Sequence, residues 1–476
     1  MAKQDRDQTK KQVSRRSLLK LAGFGAGAVA LAACQVKTAP EAPAAATAAP
    51  AAGGAAAPAA ATIAPTEAPA AAGGTTLEFW AFAEDRLKFV KEVVKSDAWT
   101  KLHPDVTINF RVFPYQEMHD KLLAALTAGS GAPDISDVEI SRFSQYIKGD
   151  RVGFVPLNDM IGDEINNVYK AAATDPWTWK GKIYGLGNEL NTVVLAYRKD
   201  VMDSLKIQTP FATWDDYIAA GKQVVAGGKM KMAAVHDLSW GDWHMMVQHA
   251  GSTLFDENGN YQGDNDKGVL ALQFLHDLVY KHKVAGIAPA DAQNSWTNPA
   301  YFAAFKADQF VSTWGPPWHF GGMIANVAEQ KGKWTAQALP KGLGDSKPTA
   351  NFGGTGTQIT EQSKHVDIAW DLIRLSNLTV AGVLGDFKIR TAYPAYKPAY
   401  KDPLLNAPSE FFGGQKIGEL YMQIAPDLTV FRQSPYWPEA TDALTNKVIT
   451  PVMQDKKDPK AALTELRTEI DRLKKG

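Results

Sequence analysis

The chain has 476 residues with 51 basic and 51 acidic side chains, so its formal net charge is zero. Residues 76–476 alone carry 43 basic and 47 acidic side chains, and a mildly acidic body is unsuited to binding nucleic acid. A hydrophobic fraction of 45% excludes wholesale disorder, and the single cysteine excludes an internal disulfide.

Residues 1–33 have the pattern of a signal peptide, in which a basic stretch precedes the uncharged run Leu21–Ala33. At about 1.5 Å per residue this run covers only about 20 Å, too short to span a membrane as a helix. Arg15 and Arg16 resemble a twin-arginine export signal. Leu-Ala-Ala-Cys, ending at Cys34, resembles a bacterial lipobox, whose cysteine is acylated. We therefore predict an exported protein anchored by lipid to the outer face of the cytoplasmic membrane, at the cell surface or in the periplasm.

Residues 34–75 are predicted to be the lipidated cysteine and a disordered tether. From residue 35 onward this stretch contains 20 Ala, six Pro and no aromatic residue. It cannot bury enough apolar surface to order itself, and its prolines interrupt any alanine helix. As a random coil it would reach about 35 Å, enough to hold a folded body clear of the membrane.

The folded body begins near residue 76 with alternating strands and helices. Apolar residues alternate at Leu77, Phe79 and Ala81, which predicts a strand. Helical spacing follows over 85–102, and a second strand is predicted at 106–112. Next come a helix at 115–128, a turn rich in Gly and Pro, and a third strand from residue 135. This order is typical of a parallel sheet.

Open α/β sheets bind ligands at the carboxyl ends of their strands. The segments Trp80–Asp85 and Ser136–Glu139 are therefore predicted to be site loops. A folded body of roughly 400 residues exceeds the usual size of a single core, so we expect two lobes. No other run of 18 uncharged apolar residues occurs, so no transmembrane helix is predicted.

Several familiar catalytic and metal-binding motifs are absent from the sequence. It contains no GxxxxGK[ST], HExxH, CxxC or GxSxG. The nine histidines, including the group His236, His244 and His249, lack metal-ligand spacing. The loop at 256–260 slightly resembles a calcium loop but lacks its Gly and final Glu, so a hairpin turn is predicted. We expect neither a metal nor a cofactor, and no carboxylate pair is spaced for glycosidase chemistry.

Thirteen tryptophans, all after residue 79, are the most informative residues of the body. An indole ring can cover the apolar face of a sugar while nearby polar groups bind its hydroxyls. We expect at least two of them to line a site, although each one alone is more often a core residue. Those in polar or Gly/Pro-rich settings are Trp80, Trp177, Trp179, Trp240, Trp243, Trp314, Trp318 and Trp437.

Five stretches, in order, resemble the extracellular solute-binding proteins of bacterial ABC importers, in particular the sugar-binding, maltose-binding type. They are Ala-Pro-Asp-Ile at 132–135, Gly-Lys-Ile-Tyr-Gly-Leu at 181–186 continuing to Asp200, Thr-Trp-Asp-Asp-Tyr at 213–217, Ala-Phe-Lys at 304–306 leading to Trp-Gly-Pro-Pro-Trp at 314–318, and Phe-Gly-Gly at 352–354 with the helix 364–375. The resemblance covers about residues 76–470. Two positions depart from the family pattern, namely Arg198, where Asn is usual, and Gly187, where Pro is usual.

The resemblance implies the type II periplasmic-binding-protein fold, in which two α/β lobes enclose a ligand cleft. Lobe one would comprise 76–190 and 358–390, and lobe two 195–348 and 396–476. The chain would cross between them near 191–195, 349–357 and 390–395. A sugar or oligosaccharide would bind by lobe closure and be delivered to the membrane permease by a monomeric, non-enzymatic protein.

The resemblance also implies a set of ligand-binding residues. Trp318 falls where the family's Gly-x-Trp motif offers a stacking ring, and Trp240 and Trp437 fall where maltose-type members place aromatic rings. The expected ligand-binding residues are Trp80, Glu84, Asp137, Glu139, Arg142, Glu189, Asn191, Trp240, Trp243, Trp318, Gly353, Gly354 and Trp437.

Three alternatives remain open at the level of sequence. The same fold could bind a polyamine, a peptide, a metal ion or another small solute, and a polyamine site would use carboxylates together with aromatic rings. A secreted glycoside hydrolase would also be rich in tryptophan but would need two essential carboxylates. A purely structural surface lipoprotein would show no ligand-dependent stabilisation.

Overall fold

The structure, a computed structural model, describes residues 74–149, 151–289 and 296–474. The predicted signal peptide, Cys34 and the tether up to residue 73 lie outside these residues. The predicted end of the tether at residue 75 is wrong, because Thr75 already belongs to the first strand. The strands are β1 (Thr75–Ala81), β2 (Val106–Val112), β3 (Ile135–Glu139), β4 (Thr178–Trp179), β5 (Lys182–Ile183), β6 (Leu186–Gly187), β7 (Val194–Arg198), β8 (Lys231–Val235), β9 (Ala285–Ile287), β10 (Phe310–Gly315), β11 (Trp334–Gln337) and β12 (Thr355–Ile359).

The α-helices alternate with these strands and dominate the C-terminal third. They are α1 (Glu84–Lys95), α2 (Asp97–Leu102), α3 (Tyr115–Ala128), α4 (Asn158–Ile161), α5 (Lys170–Ala173), α6 (Lys199–Ser204), α7 (Trp214–Ala226), α8 (Gly241–His249), α9 (Asp266–Val279), α10 (Pro299–Lys306), α11 (Pro317–Asn326), α12 (Val366–Asn377), α13 (Val380–Arg390), α14 (Ile417–Ile424), α15 (Trp437–Ala443), α16 (Thr450–Met453) and α17 (Pro459–Leu473). None of the described helices is long and apolar enough to cross a membrane.

The first sheet has the order β2-β1-β3-β12-β6, and we call it with its helices lobe one. Strand β1 runs parallel to both β2 and β3, whereas β12 is antiparallel to β3 and β6. The predicted parallel arrangement of the first three strands is therefore confirmed. Leu77, Phe79 and Ala81 point inward with at most 1% exposure, and α1 packs against α12 and α13 on this sheet.

The helix predicted over 85–102 is in fact two helices, α1 and α2. The chain is extended at Ser96, with φ −68° and ψ 152°, and the Ser96 side chain accepts a hydrogen bond from the backbone N–H of Trp99. This N-cap begins a new helix, because a serine hydroxyl satisfies an amide that the helix itself leaves unpaired. The apolar spacing alone did not reveal the break, since Trp99 stays buried beyond it.

The second sheet has the order β11-β7-β10-β8-β9, and we call it with its helices lobe two. Strand β8 pairs in parallel with both β9 and β10, whereas β7 is antiparallel to β10 and β11. Helix α7 begins at the predicted Thr-Trp-Asp-Asp motif, where Thr213 and Asp216 form a capping box. The loop at 256–260 is a turn closed by a bridge between Phe255 and Tyr261, which confirms the predicted hairpin turn.

Three irregular segments connect the two sheets and pair with one another. They are residues 188–193, the segment around Ala350 and the segment around Tyr393. Residues 188–193 lie in the middle, where Leu190 N–H donates to the Tyr393 carbonyl at 2.7 Å and Val193 N–H to the Ala350 carbonyl at 3.0 Å. Gln248 of α8 bonds to both backbone groups of Asn351. Its Nε2 donates to the Asn351 carbonyl at 2.8 Å, and its Oε1 accepts from the Asn351 N–H at 2.9 Å. The parallel strands of both lobes end beside these segments, at the edge where a ligand cleft is expected.

Candidate functional site

The lobe-one wall of the cleft is built where β1 and β3 end. Tyr115 donates its hydroxyl to Glu139 Oε2 at 3.0 Å, and Ser141 N–H donates to the same oxygen at 2.9 Å. Among the described residues Oε1 of Glu139 receives no hydrogen bond, so it can accept one from a ligand. Burial raises the pKa of Glu139, although the bonds from Ser141 and Tyr115 oppose that rise.

Arg142 and His119 hold Tyr115 in place. The Arg142 guanidinium lies 5.0 Å from the centre of the Tyr115 ring, and its Nε donates to the Tyr115 hydroxyl at 3.2 Å. His119 Nδ1 lies 2.7 Å from the Tyr115 carbonyl, and its Nε2 accepts from Glu139 N–H at 3.2 Å. Burial lowers the pKa of His119 to about 4, so the ring is neutral at pH 7 with its proton on Nδ1.

The lobe-two wall consists of aromatic rings at the helix N-termini that follow β8 and β10. Trp318 lies in the first turn of α11, is half-buried, and donates its indole N–H to the Phe352 carbonyl at 3.1 Å. Trp240 precedes α8 and is also half-buried, with its ring 5.7 Å from Phe352 and 5.9 Å from Trp437. Trp437 lies behind Trp240 and is only 1% exposed.

Gly353 and Gly354 pass between the two walls. Their φ angles of 82° and 137° are unfavourable for any residue with a Cβ. A Cβ on Gly353 would lie 2.8 Å from Trp318 Nε1, and one on Gly354 would lie 3.1 Å from Asn191 Nδ2. Glycine at both positions therefore lets the backbone approach the Trp318 ring and the buried Asn191 closely.

Asp137 and Glu189 belong to a buried ionic network. Arg86 donates to Asp137 at 2.7 Å and lies 3.8 Å from Glu189, which is in turn 3.7 Å from Arg390. Arg390 also pairs with Asp386 at 2.5 Å. The sequence-based interpretation of Asp137 as a ligand contact is not supported, because its carboxylate is fully buried and bonded to Arg86 and to the Thr357 hydroxyl.

The remaining expected site residues lie in varied places. Trp243 is fully buried, and its indole N–H donates to the Gly268 carbonyl at 3.0 Å, so it is a core residue of lobe two. Glu84 is exposed in the first turn of α1 and lies 3.5 Å from Lys91. Trp80 is half-buried against Phe113, with its indole nitrogen unpartnered among the described residues.

Sequence reasoning missed several residues that shape the cleft. Phe352 and Tyr115 could have been found, since one precedes the Gly-Gly pair and the other follows the end of β2. Trp177 explains the departure from the family pattern at Gly187, where a Cβ would lie 2.7 Å from the Trp177 ring. Within the described ranges, no group of three or more His, Cys, Asp or Glu side chains could hold a metal ion.

Two α/β lobes, one with polar side chains and the other with aromatic rings where its parallel strands end, are the architecture of a two-lobed solute-binding protein. The family model of the bacterial extracellular solute-binding proteins matches residues 82–375. The chain therefore belongs to this family.

Individual relatives cover most of the chain. The arabinooligosaccharide-binding protein of Bacillus subtilis is 30% identical over 84% of this chain and 92% of its own length. The arabinooligosaccharide-binding protein of Halalkalibacterium halodurans is 29% identical over 84% of this chain and 89% of its own. The fold is similar to the galacto-N-biose-/lacto-N-biose I-binding protein of Bifidobacterium longum, with a TM-score of 0.69, 18% identity, and coverage of 85% of this chain and 98% of that one.

These similarities establish what kind of protein this is. It is a bacterial extracellular solute-binding protein, and the relatives that match most of its length are named for binding oligosaccharides. Its fold is the type II periplasmic-binding-protein fold expected from the sequence.

Proposed function

We propose that the protein captures an arabinose-containing oligosaccharide between Trp318 and Glu139 and presents it to its permease. The sugar class is taken from the two relatives that are named for arabinooligosaccharides and that this chain matches over most of its length.

Half-exposed aromatic rings carry the proposal. Trp318 is held by its bond to the Phe352 carbonyl, so its ring is oriented before any ligand arrives. An oriented ring costs little conformational entropy on binding, and its flat face suits the C–H surface of a sugar. Trp240 presents a second half-buried ring to the same Phe352, which favours a ligand longer than one sugar unit.

The opposite wall supplies hydrogen bonds. Glu139 offers a free Oε1, and a hydroxyl donor bonds strongly to a carboxylate acceptor. Arg142 is half-buried beside it and can donate to ring or hydroxyl oxygens. The proposed contacts are Trp80, Glu139, Arg142, Asn191, Trp240, Trp318, Gly353 and Gly354.

Asp137, Glu189 and Trp437 are assigned supporting roles. Asp137 in β3 pairs with Arg86 in α1. Glu189, in the segment 188–193, lies near Arg390 at the end of α13. These ion pairs join β3 and the segment 188–193 to the helices of lobe one. Trp437 backs the Trp240 ring. We leave out Glu84 and Trp243, since the former faces solvent beside Lys91 and the latter lies in the core.

The cellular arrangement is also proposed. The sequence patterns support acylation at Cys34, export through the Arg15-Arg16 signal and a tether that ends before Thr75. The resemblance to the family implies a monomer. The predicted lobe boundaries, 76–190 with 358–390 and 195–348 with 396–476, remain proposals in the same way.

Thermal unfolding with a panel of sugars tests the proposed function. Arabinotriose, galactobiose, maltotriose and spermidine are added separately to the protein at up to millimolar concentration. A ligand at 100 times its Kd adds about 2.7 kcal/mol to the free energy of unfolding, so arabinotriose is expected to raise Tm clearly. Stabilisation by spermidine alone would contradict the proposal and favour a polyamine-binding protein.

A further inference from the structure

One buried amide joins the two lobes directly. Gln433 is 6% exposed and lies in the segment that leads into α15. Its Nε2 donates to the carbonyl oxygens of Ile140 and Pro176, both at 2.8 Å. Both acceptors are in lobe one, because Ile140 follows β3 and Pro176 lies in the short turn Asp175–Trp177 that precedes β4.

The segment that carries Gln433 is itself fixed to lobe two. The ring of Phe431 lies 4.3 Å from that of Trp437, and Trp437 packs on Trp240 and on Phe255. Ser434, the next residue, donates its hydroxyl to the Gly259 carbonyl at 3.4 Å. The side chain therefore reaches from one lobe to the other, while its backbone stays with the aromatic wall.

The orientation of the amide follows from its partners. Carbonyl oxygens only accept hydrogen bonds, so the NH2 group must face both of them. The oxygen Oε1 then points elsewhere, and it is buried without a partner among the described residues. A buried acceptor of this kind is normally satisfied by a bound water or a ligand.

Gln433 is also connected to the polar wall of the cleft. Ile140 directly follows Glu139, and its N–H donates to the Gly354 carbonyl at 2.9 Å. The amide thus ties together the strand end that carries Glu139, the Gly353-Gly354 segment and the aromatic wall. Nearby, Lys148 pairs with Glu439, but that ion pair is exposed and contributes little.

We infer that Gln433 couples sugar binding to lobe closure. Its NH2 group holds lobe one in register with the aromatic wall. Its Oε1 accepts a hydrogen bond from a hydroxyl of the sugar that is bound between lobe one and the aromatic wall. The inference rests on the proposed function for its ligand, but the lobe-to-lobe contact can be tested without any ligand.

The experiment measures the distance between the lobes. The full chain with Cys34→Ser has no other cysteine, so spin labels at Lys95→Cys and Lys281→Cys report one lobe each from side chains that are 69% and 67% exposed. The distance between the two labels is measured by double electron–electron resonance with and without arabinotriose, and Kd is measured by titration calorimetry. The variants are Gln433→Met, which removes the amide, and Gln433→Asn, which is too short to reach both carbonyls.

Gln330→Met is the matched control. Gln330 is 3% exposed and bonds to the Phe305 carbonyl and the Trp334 indole, all within lobe two. Its loss removes a buried amide without changing a contact between lobes. We expect Gln433→Met to raise Kd at least about tenfold and to reduce the short-distance population with and without sugar, while Gln330→Met leaves both as in the wild type.

Two results would overturn parts of the account separately. Unchanged distances and unchanged Kd in both Gln433 variants would refute the inference. If arabinotriose binds neither the wild type nor the variants, the proposed ligand is wrong. The sugar-free distances then still decide, because loss of the short-distance population supports the role of Gln433 and an unchanged distribution refutes it.

Discussion

Two carboxylates on β3, Asp137 and Glu139, are expected to respond in opposite ways when their charge is removed. Asp137→Asn leaves the Arg86 guanidinium buried with its best partner gone. Breaking a buried ion pair in this way costs about 3–5 kcal/mol, and Glu189 at 3.8 Å compensates only in part. With an unfolding entropy of about 2.1 cal/mol/K per residue over roughly 400 residues, Tm should fall by about 4–6 °C.

Glu139→Gln keeps the size of the side chain but removes the charged acceptor. We expect a loss of about 1.5–3 kcal/mol in sugar binding, the range for a charge-assisted hydrogen bond, and no fall in Tm at pH 7. The raised pKa of Glu139 in the folded state means that stability is lost as the pH rises from the unfolded value of about 4.3 through the higher folded value. The Gln variant lacks this loss.

The assay combines thermal unfolding without sugar and calorimetric titration with arabinotriose for both variants. The account predicts a lower Tm with near-normal affinity for Asp137→Asn, and a normal Tm with weaker binding for Glu139→Gln. The reverse pattern would refute the division of the two residues between core and cleft.

Three further predictions concern the rings, the pH response and the anchor. Trp318→Ala should weaken arabinotriose binding by about 1–3 kcal/mol with little change in Tm, by analogy with other stacking contacts. The core control Trp243→Ala should instead cost about 3–5 kcal/mol of stability. An equal loss of Tm in both variants would place Trp318 in the core. Burial lowers the pKa of His244 to about 3, so its contribution to stability is present above about pH 6.5 and falls by about 2 kcal/mol between pH 7 and 5. Melting curves of His244→Leu should show a correspondingly smaller acid loss, and an unchanged pH dependence would contradict it. Cys34→Ser should release the protein from membranes of the native host, and fractionation like the wild type would show that the lipobox interpretation is wrong.

The strands and helices of lobe one could be predicted well because their signals are local. Alternation at Leu77, Phe79 and Ala81 defines β1, and the turn residues before Ile135 define the start of β3. The break at Ser96 was missed, since it depends on one cap inside a continuous apolar spacing. The Thr-Trp-Asp-Asp motif located α7 because a capping box is a local signal too.

The cleft was harder to predict because it depends on contacts between distant segments. Residue type alone could not separate Trp318 from Trp243. Both indoles donate to a backbone carbonyl, and only burial distinguishes them, since Trp243 is fully buried and Trp318 is half-buried. An aspartate at a strand end is a residue type expected to contact a ligand. The Asp137 carboxylate is instead paired with the guanidinium of Arg86, 51 residues earlier in the chain. Gln433 carries no sequence signal, since both of its partners lie more than 250 residues away.

The most direct test of the central claim is calorimetric titration of the wild type and Trp318→Ala with arabinotriose, and of the wild type with spermidine. We predict saturable binding of one arabinotriose per chain, weakened about fivefold to over a hundredfold by the substitution, and no heat of binding with spermidine. Saturable binding of spermidine, with no response to arabino-, galacto- or malto-oligosaccharides, would contradict the claim that the cleft binds a sugar.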